Sequence, residues 1–210
     1  MQVAIEALRN FNALKDPAKT TEYLDISQQE LHRLSMLVDK VLRLSMFENR
    51  EVQLMPEPFD LRELVKEVAG SFQPLFEKHH ARLQIDYTGD NFIIEADRLH
   101  LMSVVYNLLD NALKYGGTAP AINMDVDMSG TEARIIVQDN GMGIPVAYQE
   151  KIFEKFFRVP QGGDRHNVKG YGLGLSYVAH IIQKHRGRIL VNSETGKGST
   201  FIITLPKLHG

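Results

Sequence analysis

The chain has 210 residues, a formal net charge of −2 and 43% hydrophobic residues, a composition typical of a globular protein with one core and a smaller element. The absence of cysteine excludes a disulfide framework and a thiolate metal site, and the near-neutral charge without a basic run argues against nucleic acid as the main partner. No apolar run approaches the roughly 18 residues of a membrane-spanning helix, so we expect no direct membrane contact and a cytoplasmic location.

Two amphipathic helices are predicted before residue 50. The first runs from about Gln2 to Asn12 and ends at Asp16-Pro17, and the second runs from about Thr21 to Asn49. The second helix carries an apolar stripe as wide as those of helical bundles. Because neither helix can bury its apolar face alone, we expect a helical hairpin that pairs with a second copy into a dimeric four-helix bundle. The alternative is that the hairpin packs on the following domain.

A stiff break follows at Met55-Pro-Glu-Pro58. Each proline removes a backbone donor and biases the preceding residue away from a helical conformation. We therefore predict a domain boundary here, with residues 1–55 as the helical hairpin and residues 56–210 as a second domain.

Helices and strands are mixed irregularly in the second domain. Asp60 and Asp97 are good N-caps for two helices, and Leu83–Tyr87 alternates as a strand between them. Two hairpins are predicted around the turns Ser129-Gly130 and Thr195-Gly-Lys-Gly198. Because helices and antiparallel hairpins do not alternate one for one, the pattern predicts an α+β layer sandwich.

The helix that follows Asp97 carries a polar strip opposite its apolar face. At helical spacing, Asn107, Asn111 and Lys114 fall within about 60° of one another. Two carboxamides can offer oxygens to a hard cation and an ammonium group can contact an anion, which suits a metal–polyphosphate ligand. A solvated helix face is the alternative, and this helix alone does not decide between them.

A carboxylate and two glycines follow a predicted strand in Asp139-Asn-Gly-Met-Gly143. Gly141 and Gly143 would let the backbone come close to a ligand, and Asp139 can accept a hydrogen bond from the exocyclic amine of a flat base. An ordinary Asp-Asn-Gly turn is the alternative.

A candidate lid extends from Ile144 to Lys169, where a polar, glycine-containing stretch has no periodicity. It ends in Gly170-Tyr-Gly-Leu-Gly174, a glycine-rich turn that opens a helix and so presents backbone N–H groups to phosphate. Because the glycine spacing is wrong and the turn follows a lid rather than a strand, a Rossmann dinucleotide site is excluded.

Five motifs, in this order, resemble the N, first-glycine, F, second-glycine and third-glycine boxes of the sensor histidine kinases of two-component systems. They are Asn107-Leu-Leu-Asp-Asn-Ala-Leu-Lys-Tyr, Asp139-Asn-Gly-Met-Gly, Ile152-Phe-Glu-Lys-Phe-Phe-Arg, Gly170-Tyr-Gly-Leu-Gly-Leu and Thr195-Gly-Lys-Gly-Ser-Thr-Phe. The resemblance covers about residue 60 to the end and implies an ATP-binding domain of the HATPase (GHKL) superfamily, a Bergerat-type α/β two-layer sandwich. The N-terminal hairpin is similar to the dimerisation and histidine-phosphotransfer domain of the same family.

The resemblance implies roles for individual residues. Asn107 and Asn111 would hold Mg²⁺ against the triphosphate of ATP, and Lys114 would contact phosphate, so that Asn107 and Lys114 serve catalysis. Asp139 would bind the adenine amine, with Tyr115 beside the base. The other cofactor-binding residues implied are Gly141 and Gly143 at the base pocket, Gly170, Gly172, Gly174 and Leu175 at the phosphates, Thr200 in the nucleotide pocket, and Arg158 and Lys169 towards the γ-phosphate.

The phosphoacceptor histidine of the family is followed by an acidic residue and then, after a short gap, by Thr-Pro or Asn-Pro. None of the eight histidines here has these neighbours. His32 precedes Arg33 in the second predicted helix, where we interpret it as an exposed polar residue. We expect that the chain begins just after the missing motif, as a piece of a longer protein, and cannot phosphorylate itself. A pseudokinase that never had the histidine is the alternative.

The implied activity is transfer of the γ-phosphoryl group of Mg-ATP to a histidine and onward to an aspartate in the receiver domain of a response regulator. The implied assembly is a homodimer through the hairpin, in a longer protein that an inner membrane could anchor. The gyrase, Hsp90 and MutL ATPases share the nucleotide boxes, but they usually carry glutamate at the position of Asn107 to activate water. Because an amide is a poor base, hydrolysis is disfavoured. A non-catalytic, nucleotide-gated dimerisation module stays open.

Overall fold

The computed structural model describes residues 19–20, 52–160 and 172–207. The chain divides into two units, Met1–Val52 and Gln53–Gly210, and the fold below is that of the second. The predicted N-terminal hairpin and its dimer lie outside the described residues, and the boundary between residues 55 and 56 stays a prediction. Within the described ranges, no helix is both long enough and apolar enough to cross a bilayer.

The second unit combines three helices with seven strands in the part of the chain that the structure describes. In chain order they are β1 Glu57–Asp60, α1 Leu61–His79, β2 Arg82–Thr88, β3 Ile93–Ala96, α2 Arg98–Tyr115, β4 Ala121–Asp127, β5 Glu132–Asp139, two 3₁₀ turns at Val146–Tyr148 and Lys151–Phe153, α3 Gly174–Lys184, β6 Arg188–Glu194 and β7 Gly198–Pro206. The predicted mixture of helices with a sheet is confirmed.

The main sheet has five strands in the order β2-β4-β5-β7-β6. The predicted hairpins β4–β5 and β6–β7 are both present, and β5 pairs antiparallel with β7 at its centre. The edge strand β2 runs parallel to β4, because the connection between them crosses over through β3 and α2. A second, two-stranded sheet joins β1 to β3.

Helices cover one face of the main sheet. Along β4, the alternate residues Ile122, Met124 and Val126 are buried, and the residues between them face outward. The three helices contact β2, β5 and β6, so the core lies between the helical layer and this face. On the opposite face Leu190 is 55% exposed. The second unit is therefore a two-layer arrangement of helices on a sheet.

Asp97 fixes the start of α2, as predicted. Its Oδ1 accepts the backbone N–H of His100 at 3.0 Å, and its Oδ2 accepts the backbone N–H of Met55 at 2.9 Å. The backbone N–H of Asp97 itself donates to Nε2 of His185 at 2.9 Å. Burial alone would raise the pKa of Asp97, but the N–H groups of Met55 and His100, with the rings of His100 and His185, lower it.

Helix α2 packs between α1 and α3. It is buried along Leu101, Val104, Val105, Leu108, Leu109, Ala112 and Leu113. Met102, on the same helix, is half-buried. Because helices cover α2 on two sides, its buried stripe is wider than a single contact requires. The remaining surface is the polar strip predicted from the sequence.

Candidate functional site

The side-chain amide of Asn107 faces the start of α3. Its Nδ2 donates to the backbone oxygen of Ser103 at 2.7 Å, which leaves Oδ1 pointing away from its own helix. A Cβ added at Gly174, the first residue of α3, would lie 2.7 Å from that Oδ1. The structure thus brings together Asn107 and Gly174, which are 67 residues apart in the sequence.

Asn111 and Lys114 continue the polar strip beyond Asn107. Asn111 is half-buried, and the exposed Lys114 pairs through Nζ with the carboxylate of Asp110. An anion bound at Lys114 would therefore compete with Asp110. No group of three or more His, Asp or Glu side chains among the described residues could hold a metal ion. A metal here fits only with the amide oxygens of Asn107 and Asn111 and with oxygens that its own ligand supplies.

Asp139 ends β5 as a buried carboxylate that is 8% exposed. Its Oδ1 accepts the backbone N–H of Gly141 at 2.8 Å. Burial raises the pKa of Asp139, against the opposing effect of backbone hydrogen bonds from Gly141 and Ser199. No cation of the described residues contributes to this shift. A carboxylate has room for about four hydrogen bonds, so Asp139 retains acceptor capacity for a ligand.

Residues 140–144 follow Asp139 and precede the first 3₁₀ turn. They are called the base loop here, because the sequence predicts a nucleobase beside them. The loop is bonded to α2 on one side, where Met142 N donates to the backbone oxygen of Tyr115 at 3.1 Å. It is bonded to the β6–β7 hairpin on the other, where Gly196 N donates to Met142 O at 2.8 Å. Tyr115 therefore contacts the loop through its backbone, and its predicted place beside the base stays a prediction.

Glycine is required where the base loop and the β6–β7 hairpin touch. A Cβ at Gly143, which has a φ of +68°, would lie 2.0 Å from the backbone oxygen of Glu194. A Cβ at Gly198, with a φ of +100°, would lie 1.9 Å from the backbone oxygen of Asp139. Gly141 is similarly close to Tyr115, with 2.5 Å from a built Cβ to the backbone oxygen. Backbone packs directly on backbone here, which explains these glycines without a ligand.

The predicted phosphate-binding residues are only partly described. Gly172 accepts the backbone N–H of Phe156 at 2.9 Å. Helix α3 then begins at Gly174, and no side chain among the described residues caps it. The N–H of Leu175 therefore belongs to a first turn that lacks partners within its helix. Arg158 is exposed, whereas Lys169 and Gly170 lie outside the described residues.

Thr200 lies on the opposite face of β7 from Asp139. The register pairs Ser199 with Asp139 and Thr200 with Gln138. Because successive side chains of a strand alternate between faces, Ser199 shares the face of Asp139 and Thr200 does not. Ser199, rather than Thr200, therefore lies beside Asp139, and the prediction that Thr200 lines a nucleotide pocket stays a prediction.

Two further residues near the base loop were missed from the sequence. The hydroxyl of Ser193 accepts the backbone N–H of Ile144 at 2.7 Å. Nε2 of Gln149 donates to the backbone oxygens of Ile144 at 2.9 Å and Ser193 at 2.7 Å. One signal in the sequence could have indicated Ser193. Its hydroxyl follows Ile189 and Val191 in the alternation of inward-facing side chains along β6.

Residues 96–209 match the family described as "Histidine kinase-, DNA gyrase B-, and HSP90-like ATPase". The chain is 35% identical over 210 residues to "Sensor protein RprX" of Bacteroides fragilis. The aligned region covers 99% of this chain and 40% of that relative. It is 32% identical over 206 residues to "Alginate biosynthesis sensor protein KinB" of Pseudomonas aeruginosa, with coverage of 98% and 34%. The chain thus spans less than half the length of these curated relatives.

Solved structures with the same fold include the catalytic domain of histidine kinase ThkA. It has a TM-score of 0.64 and 31% identity, and the match covers 73% of this chain and 98% of that one. A structure of ThkA in complex with the response regulator protein TrrA matches with a TM-score of 0.67 and 28% identity, over 97% of this chain and 57% of ThkA.

Proposed function

The chain belongs to the family of histidine kinase-, DNA gyrase B- and HSP90-like ATPases, as a histidine kinase catalytic domain of the two-component sensor type, and from this premise we propose that it binds Mg-ATP and transfers the γ-phosphoryl group to a histidine. The phosphoryl group would pass from there to an aspartate of a response regulator. The resemblance to sensor histidine kinases that five motifs indicate is confirmed by the family match together with the similarity to RprX and to the ThkA catalytic domain.

One observation carries the proposal: the amide oxygen of Asn107 is held against the start of α3, which no side chain of the described residues caps. The hard amide oxygen suits a magnesium ion. The positive end of the helix beside it suits the phosphate oxygens that bind the same ion. Asn107 and Asn111 would hold this ion, which would neutralise charge on the phosphates. Lys114 would contact phosphate after exchanging its partner Asp110. Phosphoryl transfer depends mainly on such positioning and charge neutralisation.

The adenine base of ATP would lie at the end of the site formed by Asp139, away from Asn107. Asp139 is buried without a cation among the described residues, and its remaining acceptor capacity suits the exocyclic amine of adenine. Gly141 and Gly143 would shape the base pocket, and Tyr115 would lie beside the base. We favour Ser199 over Thr200 as the strand residue that lines the pocket.

The phosphates would be bound by backbone groups and by cations near the lid. We propose that the turn before α3 supplies N–H groups to the phosphates, and that two cations reach towards the γ-phosphate. The residues concerned are Gly170, Gly172, Gly174, Leu175, Arg158 and Lys169, of which Lys169 and Gly170 lie outside the described residues.

The proposed partners are a second copy of the chain and a response regulator. Residues 1–55 would form the dimer through a helical hairpin, ahead of the ATP-binding domain in residues 56–210. The complex of ThkA with TrrA supports a receiver domain as the partner of this chain. The acceptor histidine would come from outside this sequence, and the location would be cytoplasmic in a longer protein with an inner-membrane anchor.

Mixing the chain with Mg-ATP and a histidine-bearing hairpin tests the proposal. Phosphohistidine on the hairpin supports a kinase, release of inorganic phosphate supports an ATPase, and binding alone supports a nucleotide-gated module. Asn107→Ala should abolish transfer to the hairpin. Asn123→Ala is the matched control, because Asn123 is an exposed residue of β4 whose amide has no place in the proposed site.

A further inference from the structure

Ser193 uses its whole hydrogen-bonding capacity at the base loop. Its Oγ accepts the backbone N–H of Ile144 at 2.7 Å, donates to the backbone oxygen of Gly198 at 2.8 Å and lies 3.0 Å from Oγ of Ser199. A hydroxyl has one hydrogen and accepts two. Because the hydrogen is directed to Gly198, Ser199 is the donor in the third contact, and the hydroxyl of Ser193 is saturated.

Gln149 makes a second connection between the same two segments. Its Nε2 donates to the backbone oxygens of both Ile144 and Ser193. The N–H and the C=O of Ile144 are therefore both bonded to groups that β6 holds, one directly and one through Gln149. The end of the base loop is fixed at Ile144, five residues after Asp139.

The network of Ser193 also reaches Asp139 from the side of the hairpin. Ser199, whose hydroxyl bonds to Ser193, pairs with Asp139 in the sheet and donates its backbone N–H to the carboxylate. Gly198, the other partner of Ser193, packs on the backbone oxygen of Asp139. One hydroxyl thus ties the far end of the base loop to Gly198 and Ser199, two residues of the hairpin that contact Asp139.

We propose that Ser193 is a positioning residue that holds the base loop and Asp139 in register with one another, and so sets the preference of the site for adenine over guanine. The proposal rests on the proposed function, because it takes the loop to be the base pocket. Ser193 acts through Ile144, Gly198 and Ser199 and touches no nucleotide itself. Guanine carries a carbonyl where adenine carries the amine, so a carboxylate in a fixed position discriminates between them and a displaced one does so less.

The first test measures hydrogen exchange of the Ile144 amide by NMR in the chain without nucleotide. Ser193→Ala removes the acceptor of this amide, so exchange should become about tenfold faster or more, because an exchange rate follows the free energy of local opening. Ser193→Thr keeps the hydroxyl and should retain the protection of the wild type. Unchanged protection in Ser193→Ala would show that the hydroxyl does not hold the loop.

The second test measures the affinities for Mg-ATP and Mg-GTP by calorimetry. Ser193→Ala should weaken Mg-ATP about tenfold while Mg-GTP changes little, so that the ratio of the two affinities falls about tenfold, as the loss of one directed hydrogen bond implies. Ser193→Thr should keep the ratio. Ser129→Ala is the matched control, because its hydroxyl bonds to Asp127 in the remote β4–β5 hairpin.

The outcomes separate the two proposals. A wild-type chain that binds no adenine nucleotide would refute the proposed function and the base preference with it. A wild type that binds, with the same ATP-to-GTP ratio in Ser193→Ala, would refute the role of Ser193 alone, since a merely structural residue weakens both nucleotides equally. If Ser193→Ala does not fold, Gln149→Leu removes the second connection to Ile144, and the same ratio decides.

Discussion

The side-chain oxygen of Asn107 faces Gly174 so closely that a methyl group there would lie 2.7 Å from it. Gly174→Ala should therefore turn the amide of Asn107 away from its present position, because the amide is the movable partner. We expect the affinity for Mg-ATP to fall about tenfold or more, as for the loss of a directed metal ligand, without loss of thermal stability. Calorimetry and thermal unfolding of the variant measure the two effects.

Gly70→Ala is the control for that variant. Gly70 lies in α1, and a Cβ there meets no atom of the described residues within 4 Å. Alanine should stabilise the helix by about 0.5–1 kcal/mol and leave nucleotide binding unchanged. Equal affinities in Gly174→Ala and Gly70→Ala would contradict the assignment of Asn107 to the metal.

Asp139→Asn should remove recognition of the base while the fold survives. Asparagine can keep the bond from Gly141 through its oxygen, but it replaces the second carboxylate oxygen by a donor. Loss of a charge-assisted hydrogen bond to the adenine amine should cost about 1.5–3 kcal/mol of binding free energy. Calorimetry with ATP measures this loss, with Asp127→Asn in the remote hairpin as control. An unchanged affinity would exclude Asp139 as the base-reading residue.

The affinity for ATP should also depend on the protonation of Asp139. Burial raises its pKa, so protonation weakens the acceptor at a higher pH than for an ordinary aspartate. Because the folded pKa lies above the unfolded one, ionisation of Asp139 opposes folding, and lowering the pH through this range relieves that cost. As the pH is lowered through the range in which Asp139 becomes protonated, the affinity for ATP should therefore fall while the contribution of Asp139 to the folding free energy becomes more favourable. Asp139→Asn at each pH is the reference, since the phosphates titrate equally in both proteins; parallel pH profiles would contradict the prediction.

Asn111→Asp tests the metal separately from the base. The variant keeps a side-chain oxygen but adds a negative charge beside the proposed triphosphate. Nucleotide binding in the presence of Mg²⁺ should change more than binding in the presence of a chelator. Asn123→Asp on β4 adds the same charge away from the site. If Asn111→Asp changes both bindings by the same factor, Asn111 is not a metal ligand.

The chain should bind Mg-ATP and yet not label itself, because every histidine lacks the neighbours of a phosphoacceptor. Phosphoryl transfer requires a nucleophile held in line, and a histidine elsewhere does not substitute by being present. Incubation with γ-labelled ATP and alkaline electrophoresis, which preserves phosphohistidine, is the measurement. Acid-labile label that His32→Gln abolishes would overturn the prediction; His32 lies outside the described residues.

Local features of the fold were predictable, and contacts distant in sequence were not. The caps at Asp60 and Asp97 and the two hairpins were predicted because cap, turn and strand pattern are adjacent in sequence. The strand β1 was missed, since Pro58 indicated a break and its partner β3 lies beyond α1. Proline is tolerated there because the two-stranded sheet leaves the strand an open edge.

The same distinction applies to the site. The roles proposed for Asn107, Asp139 and Gly174 follow from residue types and motifs that are visible in the sequence. The role proposed for Ser193 depends on Ile144, 49 residues away along the chain, and the choice between Ser199 and Thr200 depends on the register of β5 with β7. A one-residue change in register exchanges the two faces of a strand, and no feature of either strand alone fixes that register.

The glycines of this domain differ in what restricts their substitution during evolution. Gly143 and Gly198 are confined by the backbone oxygens of Glu194 and Asp139, so a side chain at either position would force backbone segments of the fold apart. Among the described residues, a Cβ at Gly174 would meet only the amide of Asn107. If the proposed nucleotide binding were lost in a lineage, Gly174 and Asn107 could change together while Gly143 and Gly198 stayed fixed, so loss of the proposed ligand site would be distinguishable from loss of the fold.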